Sequence, residues 1–124
     1  MPEESDELLV ADANAWRQWL EANHATASVA WVVVRKKGAV ATTQLTFDEA
    51  LQAAACFGWV DNKSKSRDAA TYRLRFTPRR PGSNWTAGNI KIAEELIAAG
   101  RMHPAGLAEV ERARSDGRWG SGPR

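Results

Sequence analysis

The segment Val29-Ala-Trp-Val-Val-Val34 narrows the possible folds of this chain more than any other. Six apolar residues fall far short of the roughly 20 that cross a bilayer as a helix, and β-branched valines favour extended backbone. In a strand, Val29, Trp31 and Val33 point to one side, and Ala30, Val32 and Val34 to the other. Both sides are apolar, so Ser28 to Lys37 predicts a central strand covered on each face, ending in a turn at Lys36-Lys37-Gly38.

The partners of such a strand can be read on either side of it. Asp12 or Asn14 caps a helix running to about Asn23, with Trp16, Trp19, Leu20 and Asn23 along one side. Thr46-Phe47-Asp48-Glu49 is a capping box, and the helix it opens carries Phe47, Ala50, Leu51, Ala54 and Phe57 until Gly58 stops it. Trp59 to Ser66 reads as a polar strand. After a turn at Arg67-Asp68-Ala69, Thr71 to Thr77 alternates, with Tyr72, Leu74 and Phe76 on one face and Arg73, Arg75 and Thr77 on the other. Pro78 and Pro81-Gly82 break that strand. Ser83 or Asn84 then caps a helix from about Trp85 to Ala99, and Pro104 starts a last one to about Ser115. The expectation is an α+β domain, a small and mostly antiparallel sheet with about four helices in the order α-β-α-β-β-α-α. Residues 1–11 are expected to be an acidic flexible start, 12–116 the single domain, and 117–124 a flexible tail.

At 124 residues the chain supports one core. Its net charge is +2, but the charge is divided. Residues 1–24 hold six acids against Arg17, whereas residues 63–80 hold seven basic residues against Asp68. A chain of that polarity either draws an anion to its basic face or folds its acidic start over its basic middle. The acidic start has no apolar leader-like core, so a cytoplasmic location without membrane insertion is expected. The single Cys56, in an alanine-rich apolar helix, reads as a buried structural thiol, and no disulfide framework or metal spacing is present. His24 and His103 read as surface or capping residues near helix ends. No cofactor motif is found.

One stretch stands apart, from Arg73 to Asn89. It passes from an arginine-faced strand through a proline-constrained loop into a helix start, where free backbone N–H groups and the helix dipole favour an anion. Arg73, Arg75, Arg79 and Arg80 supply charge, Ser83, Asn84, Thr86 and Asn89 supply hydrogen bonds, and Trp85 supplies a ring on which a base can stack. The same residues serve equally as a cap, a core tryptophan and a solvated face. A second pattern is Asp61 with Lys63, two apart on a strand and so on one face. Asp61 or Tyr72 then becomes a proton-transfer group, with Arg75, Arg79 and Arg80 as the clamp of an enzyme for a small anionic substrate.

Several segments together resemble the YdeI/OmpD-associated family. These are Trp16-Arg-Gln-Trp-Leu-Glu-Ala-Asn-His24, Cys56-Phe-Gly-Trp-Val-Asp61 and Arg75-Phe-Thr-Pro-Arg-Arg-Pro-Gly-Ser-Asn-Trp-Thr86. Ala98-Ala-Gly-Arg-Met-His-Pro-Ala-Gly106 and Asp116-Gly-Arg-Trp119 complete the set. The resemblance spans roughly residues 12 to 119 and implies a bacterial protein with a role in protection against bacteriocins or antimicrobial peptides. Longer members continue into a helical segment after this region. Taken together, the expected function is a non-catalytic binding module for a small anionic or phosphate-bearing ligand on the 73–89 surface. Nucleic acid, an enzyme site and a stress-protection interaction module are the alternatives.

Overall fold

The computed structural model describes residues 7–80 and 82–119. The flexibility expected of residues 1–6 and 120–124 falls outside that range. The elements are Glu7–Leu8 (β1), Ala13–Asn23 (α1), Ala30–Arg35 (β2), Phe47–Cys56 (α2), Trp59–Ser66 (β3), Thr71–Pro78 (β4), Ala87–Ala98 (α3) and Pro104–Ser115 (α4). This is an α+β domain in the expected order with one strand added at its start. β1 falls within the stretch expected to be a flexible start. Instead, Glu7 and Leu8 pair in parallel with Trp31 and Val32 of β2, because β2 would otherwise leave an edge of unpaired backbone groups.

The sheet runs β1-β2-β4-β3. β4 lies antiparallel to both β2 and β3. β2 is therefore central, as its two apolar faces required. Its inner residues Ala30, Val32 and Val34 join Trp16, Leu20, Leu45, Ala50, Ala54, Leu74 and Phe76 in the main core. Its outer residues Trp31 and Val33 are also buried, yet they belong to neither helix-backed cluster. Lys65 lies over the Trp31 ring, with Nζ 4.8 Å from the centroid, so part of that cover comes from the stem of a basic side chain. A second cluster, Trp85, Ala93, Val110 and Ala113, joins α3 to α4.

Local chemistry explains most boundaries. Asp12 caps α1 by accepting from the Ala15 N–H, and Thr46 and Glu49 form the full capping box of α2. Gly58 takes φ +76°, ending α2 and sending the chain into β3. In the β3–β4 turn the Asp68 carboxylate accepts from Ala70 N, Thr71 N and Thr71 Oγ1. The Thr71 hydroxyl contributes most to holding that carboxyl below its ordinary value. One boundary differs from expectation. α3 starts at Ala87, and its cap is Thr86, which accepts from Asn89 N. Ser83 and Asn84 are engaged as loop acceptors of Arg79 instead.

Candidate functional site

The register of β3 divides the candidate residues between two faces. Asp61 pairs with Phe76, whereas Lys63 pairs with Arg75, with a β-bulge between them. Phe76 is buried among the helices, and its neighbour Arg75 points to the opposite side of β4. The bulge inserts one residue and so breaks the two-residue alternation. Asp61 and Lys63 are not the same-face pair that their spacing suggested. Asp61 shares a small enclosed space with Arg79, whereas Arg75 and Arg80 line the outer groove, so the three arginines expected as a clamp are not brought together around it.

On the outer face the basic residues have distinct neighbours. Arg73 donates to the Ser66 carbonyl at 2.8 Å and lies 3.8 Å from a Glu7 carboxylate oxygen. Glu7 also pairs with Arg67 at 2.9 Å, so an acidic residue of the N-terminal segment does neutralise part of the basic middle. Arg75 donates to Asn62 Oδ1 at 2.8 Å. Beyond it an open groove of about 510 Å³ is lined by Val60, Asn62, Lys63, Arg75, Thr77, Pro78, Arg80, Gly82 and Ser83. Among the described residues no carboxylate lines it. Lys63 and Arg80 are exposed, and their side chains make no hydrogen bond or ion pair among the described residues.

Arg79 is turned away from that groove. Its guanidinium stacks 3.7 Å from the centre of the Trp85 ring, and it donates to Ser83 Oγ and the Asn84 carbonyl. Burial lowers its pKa to about 10, opposed in part by Glu109 and Asp61, so it remains a cation at neutral pH. Arg118 closes the same loop from the other side, donating to the Ser83 carbonyl at 2.7 Å. Trp85 is 7% exposed and packs edge-on to Trp119 at 5.0 Å. It therefore offers no free ring for a base. Thr86 and Asn89 are joined to each other at the start of α3. Of the nine residues in the 73–89 set, Arg75, Arg80 and Ser83 reach the groove, and Arg73, Arg79, Asn84, Trp85, Thr86 and Asn89 are held elsewhere.

Two residues that hold the site in place had been assigned otherwise. Arg118 and Trp119 fell in the expected flexible tail, although Asp116-Gly-Arg-Trp119 was already conspicuous as a motif. The other conspicuous motifs also meet in space. Trp16 stacks on Trp19, and Trp19 meets Trp59 edge-on. His24, Phe57 and His103 form a ring cluster with centroids 4.6–5.2 Å apart. His103 caps α4 by accepting from Ala105 N at 3.0 Å. Gly106 lies so close to the Cys56 carbonyl that an added Cβ would sit 2.2 Å from it. Packing accounts for these segments.

Among the described residues no group of three His, Cys, Asp or Glu is placed to hold a metal ion, and no helix is long and apolar enough to cross a membrane. A family model described as Domain of unknown function (DUF8412) matches residues 8–109. No curated protein and no solved structure matches the chain.

Proposed function

We propose that this chain, which belongs to the DUF8412 domain family, is a non-catalytic binding module that takes a phosphate-bearing ligand in the groove on the outer face of β3 and β4. One observation carries the reading. Lys63, Arg75 and Arg80 surround a groove with Asn62, Thr77 and Ser83 as further hydrogen-bonding groups, and among the described residues no acidic side chain lines it. Arginine presents a planar fork suited to phosphate oxygens, and lysine adds a mobile point charge. The ligand is recognised through its charge and oxygens, since the Trp31 and Trp85 rings are covered by Lys65 and Arg79.

The test is a calorimetric or NMR titration with inorganic phosphate, pyrophosphate and a short oligonucleotide at two salt concentrations. Binding should weaken as salt rises, and Lys63→Gln with Arg80→Gln should reduce affinity by at least about tenfold, corresponding to loss of two charge-assisted contacts. Equal affinity of the double variant and the parent would remove the groove from consideration. An oligonucleotide that binds far more tightly than pyrophosphate, with a steep salt slope, would move the reading to nucleic acid.

A further inference from the structure

The turn after β2 and the start of α2 bound a second concavity. It is a hollow of about 430 Å³ lined by Arg35, Lys37, Thr46, Phe47, Asp48 and Tyr72, within the range of roughly 300–1,000 Å³ usual for small-molecule sites. None of these residues lines the groove on the outer face of β3 and β4. Local bonds hold both walls. On one side the Ala39 N–H donates to the Lys36 carbonyl at 3.0 Å, and the Lys36 N–H donates to the Ala70 carbonyl at 2.8 Å. Arg35 Nη1 donates to the Ala39 carbonyl at 3.1 Å. The turn is thereby tied to the sheet, with Lys37 at its tip. On the other side the capping box of Thr46 and Glu49 fixes the first turn of α2, and with it the places of Phe47 and Asp48.

Charge of both signs lines the hollow and is left uncombined. Lys37 and Asp48 are exposed, and their side chains make no hydrogen bond or ion pair among the described residues. Arg35 commits one end of its fork to the turn and forms no ion pair among the described residues. Asp48 lies in the first turn of α2, where the helix dipole favours a carboxylate, and that role leaves its oxygens free. The hollow also has two aromatic walls. Phe47 is 41% exposed despite its size. Tyr72 meets the hollow from β4 and makes no side-chain hydrogen bond among the described residues. Burial, aided by the Asp48 charge, raises the Tyr72 pKa, so the phenol stays neutral. Two cations, a carboxylate and two rings around one concave space complement a molecule that carries both charges beside an apolar body.

We propose that this hollow binds a small zwitterion, an α-amino acid with an apolar side chain. Arg35 and Lys37 receive the carboxylate, Asp48 receives the ammonium, and Phe47 and Tyr72 hold the side chain. The site stands independently of the phosphate groove, with which it shares no lining residue.

The experiment is a titration of the whole protein with L-phenylalanine, beside phenethylamine and 3-phenylpropionate, each of which keeps the ring and lacks one of the two charges. Phenylalanine should bind saturably and at least about tenfold more tightly than either, the scale of one charge-assisted contact. Asp48→Asn should lower its affinity to that of 3-phenylpropionate, and Lys37→Gln should lower it towards that of phenethylamine. Both positions are exposed, so the melting temperatures should stay close to that of the parent. Lys63→Gln with Arg80→Gln should leave phenylalanine binding unchanged, which separates this site both from the phosphate groove and from the adjoining hollow that Lys63 also lines. Any of four results overturns the proposal: no saturable binding, equal binding of either singly charged analogue, full affinity in Asp48→Asn or Lys37→Gln, or loss of phenylalanine binding in the Lys63 and Arg80 double variant.

Discussion

His103 shows how much a single side chain contributes here. Its Nδ1 accepts the Ala105 N–H, so the ring must be neutral at that nitrogen to cap α4. Burial, then the nearby His24, lowers its pKa below the ordinary 6.5, with Arg17 adding to the shift and Glu21 opposing it. The sign follows from linkage. The unfolded chain binds the proton more readily, so this contribution to stability is complete above about 6.5 and declines as pH falls below it. Thermal melts across that range should show the loss, and His103→Asn, which keeps a capping oxygen and cannot titrate, should reduce it. Arg79 is the opposite case at the same scale. Its charge invites a functional reading, but the Trp85 ring and two loop oxygens take up the guanidinium.

Among the elements, the contact of α4 with the end of α2 has the least slack. Gly106 lets the α4 backbone approach the Cys56 carbonyl, and the His103 N–H donates to that same carbonyl at 3.0 Å. Gly106→Ala cannot be absorbed by a side-chain rotation, since the obstacle is backbone. It should destabilise the domain by about 3 kcal/mol, read as a lowered denaturation midpoint with little change in slope. The capping box of α2 and the proline and glycine boundaries of the helices were legible in the sequence because each is a local hydrogen-bond or φ requirement. The cap of α3, expected at Ser83 or Asn84, lies two or three residues later at Thr86. Ser83, Asn84 and Thr86 are all competent caps, and the choice among them was made by Arg79 and Arg118, residues outside the helix.

For the whole molecule, the segment after α4 acts as a brace. Arg118 holds the Ser83 carbonyl, and Trp119 packs on Trp85, so the loop that bounds the proposed anion groove depends on residues some 35 positions later. Trp119→Ala should cost about 2 kcal/mol through lost aromatic packing. Because Ser83 lines the groove, the same variant should weaken phosphate binding without touching the ligand, a linked loss that titration and thermal melting together will reveal. The sequence by itself determined the fold class, the central place of β2, the starts of α2 and α4 and the alternation of β4, since periodicity, capping and glycine geometry act over a few residues. Only the tertiary structure decided which candidate residues share a face. A one-residue bulge, set by the pairing of β3 with β4, sends Asp61 and Lys63 to opposite faces. The 73–89 stretch is thereby reduced to Arg75, Arg80 and Ser83 at the groove, joined by Lys63. Of its other charges, Arg73 is met by Glu7 from the far end of the chain, and Arg79 folds back onto Ser83, Asn84 and Trp85 of its own loop, which Arg118 and Trp119 brace from a distance.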